Sequence, residues 1–371
     1  MHVTSLYLQH FRNIPELDLS CPEDLHLFVG ENAQGKTNLL ESLYMVSLGK
    51  SHRARSLQEC IQFGGQTAMV RVRTQGKKQK CRLELKLLPR GRKIKKNGLE
   101  VARLSQYIGT LPVVLFAPED LQLVKGGPQV RRKFLDVEIG QISPTYVHHL
   151  TELKNLLKER NQLLKNLSKN NTFPLTFLEV LDEQLIGLSV SIWRKRLESL
   201  ERLQKFAAEI HLSITKGEEH LQIEYIPSVP IHAQMSDQEM QQVMLQALEK
   251  VRKKEMILGN TLLGPHRDDF SLQHNNLDYH TFGSQGQQRT AALSLKLAEL
   301  QLVKETTGDF PVLLLDDVLS ELDDSRKTHL LETIRGRVQT FVTATGLEGI
   351  DLQTQKQAVV YHVKNGHVTR A

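Results

Sequence analysis

The chain has 371 residues, of which 40% are hydrophobic and 24% charged, which excludes a single small core and a disordered composition and suggests about two domains. The formal net charge of +6 is compatible with a polyanionic partner. No stretch approaches the roughly 20 apolar residues that a bilayer crossing needs, the N-terminus MHVTSLYLQHFRN lacks an apolar signal core, and three cysteines without CxxC spacing point to a reducing compartment. The expectation is a cytoplasmic protein without membrane association.

In chain order, Val3–Phe11 alternates in polarity, and Ile14–Leu19 repeats the pattern after a turn at Arg12-Asn13. Leu25–Val29 is a compact apolar run that reads as a buried strand. A Gly-rich loop and a helix over Lys36–Leu48 follow. Residues 67–100 read as strands with turns at Pro89-Arg90-Gly91 and Asn97-Gly98. From Ser143 to Ala207 the period becomes helical. Leu150, Leu153, Leu157, Leu164 and Leu167 form one face, interrupted by Arg160, and Leu178, Leu181, Leu185, Leu188 and Ile192 form another. Asn170 to Pro174 separates the two, and a third helix is expected over Ser236–Lys254. Gly283–Gly286 leads into a helix over Gln287–Lys304; Pro311–Leu315 and Arg337–Thr345 read as strands. The expected fold is α/β, with mixed sheets plus helices. One lobe combines 1–118 and 262–371, and a mainly helical lobe, 119–261, is inserted in it.

Gly30-Glu31-Asn32-Ala33-Gln34-Gly35-Lys36-Thr37 matches GxxxxGK[ST] and lies between a buried strand and a helix, the context a phosphate loop requires. Its backbone N–H groups and the helix N-terminus favour an anion. Residues Gly30 to Asn38 are therefore the expected ATP contacts, with Lys36 on the β- and γ-phosphates and Thr37 on Mg²⁺. Val312-Leu313-Leu314-Leu315-Asp316-Asp317 ends an apolar strand in two acids. Asp316 is expected in the Mg²⁺ shell and Asp317 as general base.

Ser284-Gln285-Gly286-Gln287-Gln288, at a helix start, looks like the signature motif of ABC-type ATPases, which binds the γ-phosphate held by the other subunit. A plain polar cap has the same appearance. Ser320-Glu321-Leu322-Asp323 falls at the spacing of that family's D-loop, and Thr343-Ala344-Thr345 stands where its switch residue would be. No Q-loop glutamine is evident; Phe116-Ala117-Pro118-Glu119-Asp120 occupies that place. Residues 37–283 separate Lys36 from Ser284, longer than the lobe of transporter ATPases and far shorter than the coiled coil of chromosome-structural ATPases.

His10-Phe11-Arg12-Asn13, Gly49-Lys50-Ser51-His52-Arg53, Phe116 to Leu121, Gly127 to Asp136, Leu263-Gly264-Pro265-His266-Arg267-Asp268-Asp269 and Leu315 to Asp323, in that order, resemble the RecF family of bacterial recombination-repair proteins. The resemblance implies an ABC-type P-loop ATPase head and an ATP-dependent homodimer on double-stranded and gapped DNA. It also implies cooperation with RecR and RecO in loading RecA, and a weak DNA-stimulated ATPase. It places Arg12 and Asn13 near the nucleotide, although a plain hairpin turn explains Asn13 equally well. The Gly264–Asp269 segment is either functional or a structural salt-bridge turn.

The most basic stretch runs from Lys77 to Lys96. Lys77, Lys78, Lys80, Arg92 and Lys93, together with Arg53, are the expected phosphate contacts on DNA, against the alternative of a solvated hairpin. No aromatic residues interleave, so single-strand stacking is not expected there. A transporter motor or a structural chromosome head are the rival readings; the missing switch histidine and the absent coiled coil count against them.

Overall fold

The computed structural model describes residues 1–77, 80–169, 175–320, 322–346 and 356–371. In chain order these form β1 (His2–Phe11), β2 (Ile14–Ser20), β3 (Leu25–Val29), α1 (Lys36–Leu48), β4 (Ala68–Gln75), β5 (Lys80–Leu87), β6 (Arg92–Lys96), β7 (Leu99–Glu100) and β8 (Val113–Phe116). Then come α2 (Gln122–Lys125), α3 (Pro128–Ile142), α4 (Pro144–Lys169), α5 (Leu175–Ile214), β9 (Gln222–Ile226), α6 (Asp237–Leu258), β10 (Asp269–His274), β11 (Leu277–Asp278), α7 (Tyr279–Phe282) and α8 (Gln285–Thr307). The chain closes with β12 (Val312–Asp316), α9 (Asp324–Ile334), β13 (Thr340–Ala344), β14 (Val359–Lys364) and β15 (His367–Arg370).

Two compact units result: Met1–Asp120 with Leu295–Ala371, and Leu121–Ser294. The second boundary falls inside α8, later than the expected return at residue 262. The reason is β10, which pairs antiparallel with β9 and so keeps residues 269–274 in the inserted unit.

The first unit contains two sheets. One has the order β15-β14-β3-β13-β12-β8, with β3, β8, β12, β13 and β14 parallel. Strands β3, β8, β12 and β13 are buried on both faces, as parallel strands between covering layers require: Val312 to Asp316, for example, are all buried. α1 packs its apolar residues Leu39, Leu40 and Leu43 in the same core. The other sheet is antiparallel, order β2-β1-β4-β5-β6-β7. It buries Leu6, Leu8, Val70, Val72, Leu83 and Leu85 and turns charged residues outward.

The second unit is built on α4, α5 and α6, with a small sheet of order β11-β10-β9. Ser236 caps α6 in a reciprocal capping box with Glu239. Arg160 does not interrupt the apolar face of α4, as the sequence pattern suggested. It is 1% exposed and extends the buried stripe, because Asp182 and Glu255 each accept from it at 2.7 Å and Thr261 at 2.9 Å. The two acids of the Gly264–Asp269 segment likewise make structural contacts. Asp268 accepts from Trp193 (2.6 Å), Tyr225 and the Ser228 amide, and Asp269 is gripped by both branches of Arg131. Among the described residues no helix is long and apolar enough to cross a membrane.

Candidate nucleotide site

The loop joining β3 to α1 carries the phosphate-binding motif. Gly35 has φ +112°, a conformation L side chains rarely adopt, and a Cβ there would lie 2.7 Å from Asn13 Oδ1. Lys36 folds back over the loop and donates from Nζ to the carbonyls of Gly30 (2.6 Å) and Glu31 (2.8 Å). From there it can meet a phosphate cradled by the loop's N–H groups. Burial pushes the Lys36 ammonium down from its usual value, while the charges of Asp317 and Asp316 oppose that shift. Both acids thus lie within electrostatic reach of the loop lysine.

Parallel pairing of β12 with β13 sets Asp316 beside Thr343. Thr37 Oγ1 donates to Asp316 Oδ1 at 2.9 Å, and Thr343 Oγ1 donates to the same oxygen at 2.8 Å. The Asp317 N–H donates to Thr343 Oγ1 at 2.9 Å, and Asp317 is left-handed, with φ 54°. A non-glycine residue held in that region is a strained feature of the kind concentrated at working sites. Burial raises the Asp316 carboxyl, against the hydrogen bonds from Thr343 and Thr37.

No group of three or more His, Cys, Asp or Glu side chains able to hold a metal occurs among the described residues. Thr37 and Asp316 offer one hydroxyl and one carboxylate. That set suits Mg²⁺, which keeps several waters and takes phosphate oxygens for the remainder of its octahedron.

The turn after β1 reaches this loop. Asn13 Nδ2 donates to the Gln34 carbonyl (3.0 Å), and Asn38 Nδ2 donates to Asn13 Oδ1 (2.8 Å). Arg12 grips buried Glu41 with two branches, at 2.8 and 2.9 Å, and donates a third bond to the Glu59 carbonyl. Arg53 donates to Asn38 and Glu41, both at 2.8 Å. Arg53, which the sequence places just after the phosphate-loop helix as a contact for phosphate or DNA, is thus tied to that helix. Arg12, Asn13, Asn38, Arg53, Glu59, Ile61, Gln62 and Phe63 line a cleft of about 790 Å³. Sequence reasoning missed Glu41 and the 59–63 segment. A lone carboxylate inside the apolar run Leu39-Leu40-Glu41-Ser42-Leu43 was the available signal, since such a group needs a partner when buried.

The signature turn lies in the second unit. The Gln287 N–H donates to Ser284 Oγ (3.2 Å) and the Ser284 N–H to Gln287 Oε1 (2.8 Å), a reciprocal cap on α8, which starts at Gln285, ahead of the expected Gln287. Gln287 Nε2 donates to Glu219 (3.0 Å). Gly286 lies in the first turn of α8.

In the first unit, Ser320 Oγ donates to the Asp317 carbonyl, and Asp323 caps α9; Glu321 lies outside the described residues. Thr345 is exposed and Thr343 buried against Asp316. After β8, Asp120 accepts from the Ala117 N–H and so pins its own loop.

The basic hairpin splits by strand parity. Arg71 and Arg73 on β4, Lys80, Arg82 and Lys86 on β5, and Lys93 and Lys95 on β6 alternate with the buried residues of each strand, so they share the outward face. Cross-strand partners Arg73↔Arg82 and Lys86↔Lys93 stack cations across that face. Glu84 sits among them, paired with Arg82 and Arg71. Arg92 points the other way and donates to the Gly49 carbonyl, so it is not part of the stripe. Lys77 lies in the turn and donates to the Gly308 carbonyl; Lys78 lies outside the described residues.

The sequence matches the family described as RecF/RecN/SMC N terminal domain over residues 2–369. It is 49% identical over 371 residues to a DNA replication and repair protein RecF of Halalkalibacterium halodurans, covering 100% of both chains. It is 50% identical over 368 residues to that of an Exiguobacterium species, covering 99% of each. A solved structure of the recombination mediator protein RecF with ATP, in the RecFOR pathway, superposes with a TM-score of 0.93 at 32% identity, over 100% of this chain and 97% of that one. An Smc head shares the fold at a TM-score of 0.56 and 13% identity, over 100% of this chain and 97% of that one.

Proposed function

Because the chain belongs to the RecF family of DNA replication and repair proteins, we propose that it works as an ATP-operated clamp on DNA. Two copies join head to tail around ATP and hold duplex next to single-strand gaps. There they assist RecR and RecO in placing RecA, and slow, DNA-stimulated hydrolysis times release. The setting is the cytoplasm, where the DNA is. The lobe formed by the two ends of the chain is the ATPase lobe, and the inserted lobe presents the signature turn.

The observation that carries this reading is the hydrogen-bonded series Thr37–Asp316–Thr343–Asp317 beside a phosphate loop whose lysine is poised over it. Lys36 and the N–H groups at the start of α1 bind the β- and γ-phosphates. Thr37 and Asp316 would hold Mg²⁺, and the ion would neutralise charge building on the phosphate oxygens. Asp317 orients the attacking water and accepts its proton. Ser284 and Gly286 of the second copy close over the γ-phosphate. Ser284 Oγ already accepts from the Gln287 N–H, which leaves its own O–H free to donate to that phosphate. ATP therefore favours the dimer by mass action, and the outward cations of β4, β5 and β6 track the DNA backbone.

Sedimentation with ATP and Mg²⁺, with ADP and without nucleotide, each with and without duplex or gapped DNA, tests the proposal. The expected result is a dimer with ATP alone and tighter retention of duplex in that state. A chain that stays monomeric and holds duplex equally in all three conditions overturns it.

A further inference from the structure

Phe63 stands fully exposed, at 104% of its reference area, over the cleft beside the phosphate loop. A single exposed aromatic residue is unremarkable by itself; the way this one is held is informative. The chain after Cys60 runs back along the end of β1. The Arg12 N–H donates to the Cys60 carbonyl, the Gln62 N–H to the His10 carbonyl, and Ile61 bridges Phe11. Gln62 is tied a second time, through Oε1 to His10 Nδ1 at 2.9 Å. The Gly65 N–H then closes a four-residue turn on the Gln62 carbonyl (2.8 Å), with Gly64 at φ +78° in its third position. Positive φ there is the mark of a type II turn, and Phe63 occupies the projecting corner. An anchored turn therefore holds a bare aromatic ring out at the cleft, and Ile61 is the other apolar side chain lining it.

The cleft borders the phosphate cradle through Asn13, which touches Gln34, and Asn38, in the first turn of α1. A ligand laid along these residues needs a polyanionic end on the loop and a flat apolar end at Phe63. Arg12 and Arg53, both already on Glu41, line the wall between the two ends. We propose that Phe63 is the nucleobase platform of this site and that it stacks the purine ring of the bound triphosphate. The inference rests on the nucleotide reading above and adds the residue that takes the base. Stacking on one ring face is tolerant of exocyclic groups, so the platform favours purines over the smaller pyrimidines and separates adenine from guanine little.

Calorimetry with Mg-ATP and with inorganic triphosphate, on wild type, Phe63→Ala and Phe63→Trp, decides the matter. In Phe63→Ala, ATP binding should weaken about tenfold, within the range for loss of one base–aromatic stack, while triphosphate binding stays unchanged. Phe63→Trp should bind ATP as wild type does. The sequence's single tryptophan, Trp193, is buried in the other unit, so fluorescence gained at position 63 should be quenched by ATP and not by triphosphate. Unchanged ATP affinity in Phe63→Ala, or equal weakening towards both ligands, overturns the platform. So does a loss confined to self-association, which would make Phe63 a contact between copies. Equal wild-type affinity for both ligands leaves the nucleotide site standing and removes the platform. Binding of neither removes both.

Discussion

Glu41 shows how a buried charge holds the nucleotide cleft together. Burial by itself would raise its carboxyl; hydrogen bonds from Arg12, Ser51 and Arg53 outweigh that and bring it to about 2 from a usual 4.5. A carboxyl depressed on folding stabilises the folded state fully above its unfolded value and loses that contribution as pH falls towards the folded one. The contribution is on the order of 3 kcal/mol, present above pH 4.5 and drained between there and about pH 2. Glu41→Gln strands two guanidinium groups and should cost about 3 kcal/mol near neutrality. Urea unfolding of wild type and variant at a series of pH values should show a constant gap above pH 5, narrowing by about 1 kcal/mol at pH 3.5. A gap that ignores pH would show that the carboxylate charge is not what stabilises the cluster. The sequence displayed Glu41 only as an oddity in an apolar helix, because Arg12 and Arg53 come from distant segments and no local spacing links them to it. Arg160 was misread for the same reason: Asp182 and Glu255 lie on other helices.

At the scale of elements, the start of α8 does two jobs, capping a helix and offering small polar groups to an anion. Ser284→Arg and Ser284→Ala separate them. Each removes the side-chain cap, at about 1 kcal/mol, but only arginine adds bulk and charge to the proposed γ-phosphate seat. Both variants should bind ATP as wild type does. Ser284→Arg should lose ATP-driven dimerisation and turnover, whereas Ser284→Ala should retain a substantial part of both. Phosphate release and sedimentation measure the two properties, and normal turnover in Ser284→Arg would exclude a composite site. Elements with strong local signals were legible. α1 spans the expected Lys36–Leu48 and β3 the expected Leu25–Val29, since a Gly-flanked helix and a short apolar run declare themselves. α3, begun by Pro128 after Gly127, escaped notice because its first turns are polar and basic. β9 and β10 escaped because each is stabilised by its partner more than by its own pattern. Arg92 and Lys93 were both named as DNA contacts although neighbours on a strand face opposite ways, because the sequence does not say which parity is the outward one.

For the molecule as a whole, the question is whether a mildly basic chain grips DNA through one surface or through diffuse charge. Net charge alone predicts weak, distributed attraction. The register of the antiparallel sheet instead concentrates cations: Arg73 faces Arg82 and Lys86 faces Lys93, while Lys95 is flanked by two acids, Glu84 on β5 and Glu100 on β7. Like charges opposite each other destabilise a sheet, so the arrangement costs stability unless a polyanion covers it. The triple variant Arg73→Ala, Lys86→Ala, Lys93→Ala should therefore fold at least as stably as wild type and bind duplex more weakly. Every DNA phosphate that a cation neutralises adds about 0.9 to the slope of log affinity against log salt, so the variant's slope should be shallower by up to about 3. ATP affinity should not move, because none of the three residues lines the nucleotide cleft. Fluorescence anisotropy on a labelled duplex at several salt concentrations measures the slope. An unchanged slope would make this hairpin a solvated one and shift the DNA-binding surface to another face. A shallower slope with unchanged ATP binding would locate the grip on the outward face of β4, β5 and β6.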